Sequence, residues 1–242
     1  FLLHKDFQMK DSVFTFDINH ACAGYIYCLA MADSFIKTGM ANEILIINAE
    51  TYSKYIHPRD RSTRILFGDG ATASIIRKSK NENGLIDISL GSSGKNYENF
   101  IIPAGGHRIP RSDSTSKEFI DDSGNVKSQN NILMDGLGLL SFINSKIPKH
   151  IDDILQKNEL KKSQIDRFIF HQASKITLNS LKKIMGLRNE QVFININYIG
   201  NTVSSSIPIA LKKDIKQKPL LKGSLVILSG FGVGLSYGTA LL

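Results

Sequence analysis

The order strand, reactive side chain, helix, strand occurs twice in this chain of 242 residues, once around Cys22 and once around His171. A strand ending in a functional residue at the mouth of a helix is the unit of layered α/β proteins. Its recurrence predicts two related halves rather than a helical bundle or a β-sandwich. In the first half the pattern predicts a strand over 13–18, then a helix over 22–37 closed by Gly39. The continuous apolar run at 43–49 predicts a buried strand, and 71–77 and 85–90 read as two more, with 51–64 polar and loop-like.

Residues 91–131 are rich in Ser, Asn and Gly and show no periodicity, which predicts a functional excursion or a flexible insert. A helix over 134–156 follows, with Leu140, Ile143, Ile147, Ile151 and Ile154 on one face and a kink expected at Pro148. Strand 167–170 delivers His171. Helix 174–185 turns Leu178, Leu181 and Met185 inward and Lys175 and Lys182 elsewhere. A strand is expected at 191–196 and a helix at 207–216, opened by Pro208 after Ser204-Ser205-Ser206. Strands 225–228 and 235–242 complete the sheet.

Composition narrows the function classes. Hydrophobic residues make up 42% of the chain, enough to build the core of one large domain or two small ones. Two cysteines, Cys22 and Cys28, exclude a disulfide framework and a zinc knuckle, so no metal site is expected and the setting is a reducing cytoplasm. The net charge of +8 comes from scattered lysines with no arginine-rich arm or nucleic-acid motif, which points to an acidic protein partner rather than to DNA or RNA. The uncharged stretch 223–242 is broken by Gly230, Gly232, Gly234 and Gly238 and reads as two strands, not a membrane span. The chain opens at Phe1 with no charged segment ahead of an apolar one, so no secretory leader is expected.

Cys22 is placed at a helix N-terminus, where the positive end of the macrodipole favours a thiolate and hence a covalent nucleophile. Taken alone it is equally a small buried residue, His171 a structural histidine at a strand end, and Asn201 a turn residue between Gly200 and Thr202. Gly68-Asp69-Gly70-Ala71-Thr72-Ala73 has the letters of a dinucleotide fingerprint. It leads into strand-like Ser74-Ile75-Ile76 instead of a helix, so it is rejected. The glycines of Gly230-Phe231-Gly232-Val233-Gly234 are expected to let the backbone approach a reacting group.

Taken together, Ala21-Cys22-Ala23-Gly24-Tyr25, Asp60-Arg61-Ser62-Thr63, Phe67-Gly68-Asp69-Gly70-Ala71, His171-Gln172-Ala173, Gly200-Asn201-Thr202 and Gly230-Phe231-Gly232-Val233-Gly234 resemble the β-ketoacyl–acyl-carrier-protein synthase III family of the thiolase superfamily. The resemblance implies a thiolase-like layered α/β/α fold of two related halves, with the N-terminal half incomplete. Residues 1–90 would be the remainder of that half, carrying the nucleophile, 91–131 a loop-rich insert, and 132–242 the half carrying His171 and Asn201. It implies that Cys22 takes an acyl group from acyl-CoA, held by an oxyanion hole of the Cys22 and Val233 backbone N–H groups. His171 and Asn201 would stabilise the enolate of a decarboxylating malonyl–acyl carrier protein. Arg61, Gly136 and Ser174 are expected on the coenzyme A and pantetheine side, and Lys175, Lys182 and Lys183 as the docking face for acidic acyl carrier protein. No tightly bound cofactor is implied, and the assembly would be a homodimer.

Some positions depart from the family pattern: Ser174 for Asn, Leu137 for a polar residue, Val233 for Gly, His20 for a small residue, and a longer stretch around 103–110. These keep two other readings open. One passes the acyl group to an amine or hydroxyl in secondary or polysaccharide metabolism, and the other is a non-catalytic partner subunit.

Overall fold

The computed structural model describes residues 1–79 and 84–242. Its first long element is helix α1 (Gly24–Lys37), followed by strands β1 (Glu43–Glu50) and β2 (Gly70–Arg77). Then come β3 (Asp87–Ser92), helix α2 (Gly136–Lys157), β4 (Arg167–Phe170), helices α3 (Lys175–Ile184) and α4 (Ser206–Gln217), and strands β5 (Val226–Gly232) and β6 (Ser236–Leu241). β1 and β2 form an antiparallel pair, and the larger sheet has the order β3-β6-β5-β4 with only β4 and β5 parallel.

Strand alternation sorts the side chains of β4 and β5 onto two faces. Phe168, Phe170, Ile227 and Phe231 share a cluster with Leu139, Phe142, Ile143, Ile147 and Ile151 of α2 and Leu178 and Leu181 of α3. Ile169, Val226 and Leu228 share the other with Tyr25, Ile26 and Leu29 of α1, Ile207 and Ala210 of α4, and Ile46 of β1. Helices therefore cover both faces of the larger sheet, and α1 with α4 separates it from the β1–β2 pair. This is the layered α/β/α architecture expected. Ile147 and Ile151 are fully buried, each contributing about 1.5–3 kcal/mol. A buried ion pair, Arg167 Nε to Asp214 Oδ2 at 3.0 Å, ties the start of β4 to α4.

Three strand expectations are corrected. Residues 13–18 form no strand, because no neighbouring backbone among the described residues completes a ladder. Phe14 and Phe16 instead set their rings edge-on against Phe35 of α1. The run 191–196 is likewise no strand. Val192 alone bridges Phe168, since the Gln172 side chain takes the hydrogen bonds a ladder would need: Nε2 donates to Phe170 and Phe193 carbonyls, and Oε1 accepts from Asn195 N–H. β1 is buried on one face only, because Ile46 and Asn48 turn toward α1 and α4 while Leu45 and Ile47 stay exposed.

Helix α2 runs unbroken through Pro148 and starts two residues later than expected, at Gly136, because Asp135 Oδ1 accepts from Gly138 N–H at 2.9 Å and caps it. Met134 belongs to a two-residue strand that pairs with Phe100–Ile101. The excursion 91–131 also holds the hairpin Phe119–Ile120 with Val126–Lys127. That hairpin is pinned to the short helix Arg61–Arg64, where Asn125 Oδ1 accepts from Ser62 N–H and Lys127 Nζ lies 3.9 Å from Asp60 at the helix start.

Candidate active site

Residues Ala21–Ala23 form a single 3-10 turn ahead of α1, and Ala21 is held at φ +41°. The turn carries Cys22 into the interior, only 2% exposed. Two glycines make room for it. A Cβ on Gly232, itself at φ +156°, would sit 2.7 Å from Cys22 Cβ and 2.8 Å from Sγ, and one on Gly230 would lie 3.0 Å from the Cys22 carbonyl oxygen. The close backbone approach predicted from the glycine spacing is therefore present.

The charge state of the thiol differs from expectation. Burial pushes the Cys22 pKa up to about 12, and Glu50 nearby adds to the rise; the backbone N–H groups of Val233 and of Cys22 itself hydrogen-bond the sulfur and pull the other way without prevailing. Desolvation outweighs the helix terminus, so the resting group is a neutral thiol. In a Cys28→Ala background, iodoacetamide should therefore label Cys22 slowly at pH 7, with the rate rising about tenfold per pH unit through pH 10. A plateau below pH 8 would contradict this assignment.

His171 directly follows β4, and its backbone N–H donates to the Ser229 carbonyl of β5. The ring stands edge-on to Phe231 at 5.7 Å, and Nδ1 lies 2.7 Å from Ser206 Oγ. Nε2 is buried and has no partner among the described residues. Burial drives the imidazole pKa down to about 3, opposed in part by the Val203 carbonyl, so the ring is neutral.

Asn201 is held by its backbone against the segment before β2, its N–H donating to Leu66 and its carbonyl accepting from Gly68. Its Oδ1 accepts from Val203 N–H at 2.9 Å, which leaves Nδ2 as the group that can donate elsewhere; one contact is to the Ala173 carbonyl at 3.4 Å. Val203 is fully buried at φ +52°, an uncommon conformation for a β-branched residue.

Cys22, His171 and Asn201 line one cavity of about 100 Å³, walled elsewhere by Leu66, Phe67, Phe100, Met134, Leu139 and Phe231 among others. A thiol, an imidazole and a carboxamide thus face a mainly apolar space, where hydrogen bonds to developing charge are strong. Gly136 and Ser174 also line it, and Ser174 Oγ caps α3 by accepting from Thr177 N–H. Arg61 does not: it lies exposed on the helix Arg61–Arg64, outside the cavity wall. Lys175 and Lys183 are exposed on α3, whereas Lys182 donates to Asn189 Oδ1. Leu137 is 82% exposed, and the His20 ring packs against Tyr27 at 3.6 Å, tilted by 40°. Among the described residues no group of three or more His, Cys, Asp or Glu could hold a metal ion.

Sequence reasoning passed over Glu50 and the serine run. Ser204 Oγ donates to Glu50 Oε1, Ser205 Oγ to the Asn48 and Gly70 carbonyls, and Ser206 Oγ meets His171. The run had been legible only as the start of a helix, although three consecutive hydroxyls ahead of a buried helix require partners.

Comparison with known proteins shows the family. A family profile described as 3-oxoacyl-(acyl-carrier-protein) synthase III matches residues 16–94, and its C-terminal counterpart matches 155–242. The β-ketoacyl-(acyl-carrier-protein) synthase III of Fusobacterium nucleatum is 36% identical over 94% of this chain and 66% of its own length. That of Clostridium tetani is 35% identical over 96% and 68%. The chain thus spans about two thirds of the length of these relatives. Among solved structures, a 3-oxoacyl-(acyl-carrier-protein) synthase III superposes with a TM-score of 0.97 at 34% identity, covering all of this chain and 72% of the other. The Aquifex aeolicus enzyme gives 0.83 at 32%, covering 99% and 70%.

Proposed function

The chain belongs to the 3-oxoacyl-(acyl-carrier-protein) synthase III family, and from that premise we propose that it joins an acyl group to malonyl–acyl carrier protein by decarboxylative Claisen condensation. One observation carries the reading: Cys22, His171 and Asn201 converge on one mainly apolar cavity.

In the first half-reaction Cys22 Sγ attacks the thioester carbon of an acyl-CoA. The oxyanion is held by the N–H groups of Cys22 and Val233, which already point to the sulfur side. The intermediate collapses with loss of coenzyme A, whose departing sulfur takes the thiol proton. In the second, the C–CO2 bond of the malonyl thioester breaks, CO2 leaves, and the electron pair becomes an enolate. A neutral His171 and the Asn201 carboxamide donate N–H bonds to the enolate oxygen, and the low imidazole pKa keeps the ring uncharged throughout. The carbanion attacks the acyl carbon on Cys22, and the 3-oxoacyl product leaves with the carrier protein while the sulfur regains a proton from solvent.

The substrates in this reading are a coenzyme A thioester and a phosphopantetheine-linked malonyl group, with Gly136 and Ser174 at the cavity wall where a pantetheine arm would pass. Exposed Lys175 and Lys183 would meet the acidic carrier protein, and Lys182, engaged by Asn189, would contribute less. Arg61 would reach the nucleotide only from outside the cavity. The homodimer and the cytoplasmic setting belong to the same proposal. No described helix is long and apolar enough to cross a membrane.

The test separates condensation from simple acyl transfer. In the natural full-length protein, Asn201→Ala should still form the acyl–Cys22 adduct while malonyl decarboxylation falls about 100-fold, the usual cost of one transition-state donor. Condensation at the wild-type rate in this variant would refute the enolate role and favour transfer to an amine or hydroxyl.

A further inference from the structure

We infer that Ser206 is a positioning residue that fixes the tautomer of His171, donating its hydroxyl hydrogen to Nδ1 so that the ring proton stays on Nε2. The inference rests on the reading of His171 as an N–H donor and names what makes it one.

The argument is a count of donors and acceptors in a dry interior. Ser206 is fully buried and His171 is 1% exposed, so water cannot complete either group's hydrogen bonding. Ser206 Oγ lies 2.7 Å from His171 Nδ1, and the backbone N–H of Gln172 donates to the same oxygen at 3.3 Å. A hydroxyl carries one hydrogen and two lone pairs. With the Gln172 N–H occupying one lone pair, donation of the hydroxyl hydrogen to Nδ1 pairs both the hydroxyl and Nδ1.

The opposite tautomer places two donors, Gln172 N–H and Nδ1–H, on Oγ and strands the hydroxyl hydrogen, which is costly in a buried site. Nε2 has no partner among the described residues in either tautomer, so the Nδ1 side alone decides between them. The Val203 carbonyl beside the ring accepts the backbone N–H of Ser206 and keeps a second lone pair, so an Nδ1–H bond to it is the competing arrangement that the experiment below distinguishes.

Ser206 is itself held from the other half of the fold. Ser204 Oγ donates to Glu50 Oε1 at 2.5 Å, and Ser205 Oγ donates to the Gly70 carbonyl at 3.0 Å. These contacts anchor the turn that holds Val203 at φ +52°, so the hydroxyl has one place to point. The helix start thus sets the protonation pattern of a ring on β4, much as a carboxylate or carbonyl orients an active-site imidazole in other enzymes.

The experiment uses full-length protein labelled with 15N-histidine, with the His171 signals assigned by their loss in His171→Gln. The wild type should show a proton on Nε2 and a bare Nδ1 at pH 7. Ser206→Ala should give a mixture of tautomers and slow malonyl decarboxylation about 10- to 100-fold, with acylation of Cys22 slowed much less. Ser206→Thr, which keeps the hydroxyl, should restore the Nε2–H pattern and most of the rate.

An Nδ1–H ring in the folded wild type overturns the inference outright, even if Ser206→Ala does not fold. So does a Ser206→Ala protein with an unchanged tautomer and decarboxylation rate. If His171→Gln instead decarboxylates malonyl thioester at the wild-type rate, the donor role of His171 falls while the tautomer result stands by itself.

Discussion

Cys22→Ala should abolish transfer of an acyl group from acyl-CoA to the protein: the intact mass stays unmodified, while Cys28→Ala gains one acyl increment as the wild type does. The expected loss is at least about 10⁴-fold, because removing a covalent nucleophile removes the half-reaction and not merely one stabilising contact. The two thiols are well matched as a control. Cys22 is 2% exposed, lines the cavity with His171 and Asn201, and receives two backbone N–H groups on its sulfur. Cys28 lies six positions later, within α1, half-buried and outside the cavity, and its own pKa is raised by burial. Alanine is close in volume to cysteine, so the fold should survive the change and loss of the adduct would report chemistry. An acyl increment that persists in Cys22→Ala and disappears in Cys28→Ala would reverse the assignment.

Gly68→Ala should cost about 3 kcal/mol of stability, at the upper end for a single substitution, and impair condensation in whatever protein still folds. An added Cβ would sit inside the contact radius of the Ile199 carbonyl oxygen and 3.2 Å from its carbon. Both are backbone atoms and cannot rotate away. Gly68 also donates its N–H to the Asn201 carbonyl, in the bridge that sets Phe67 beside Asn201. Relieving the clash therefore moves Asn201, so stability and enolate stabilisation should fall together. For a chain of this size the melting temperature would drop by roughly 6–12 °C. Gly94→Ala, where nothing lies within 4 Å of the added carbon, is the comparison and should be near neutral. A Gly68→Ala protein that unfolds within about 1 kcal/mol of wild type would contradict this account.

Gly68 also illustrates what can be read from residue order. Its G-x-G-x-x-A run was rejected as a dinucleotide site because strand letters follow, and Gly70–Arg77 is a strand. The letters could not say that Gly68 is there to let two backbones pass, since that depends on Ile199, which lies 131 positions away. The same division runs through the fold. α1, α2, α3 and α4 were legible from their apolar spacing and caps, because a helix is specified by residues three and four apart. The expected strands at 13–18 and 191–196 failed, because a strand exists only by virtue of a neighbour. Residues 13–18 have none among the described residues, and Gln172 supplanted it in 191–196.

By itself the sequence determined the layered α/β class, the chain order of Cys22, His171 and Asn201, and the glycine-permitted approach at Gly230 and Gly232. Each of these follows from local periodicity or from residue types that admit few conformations. Tertiary structure alone decided the rest: a neutral thiol where a helix terminus promised a thiolate, Arg61 outside the cavity, Lys182 engaged by Asn189, and Ser206 against the imidazole. The physical reason is common to all of them. Desolvation and hydrogen bonding depend on which atoms surround a group in three dimensions, and those atoms are contributed by segments far apart in the chain.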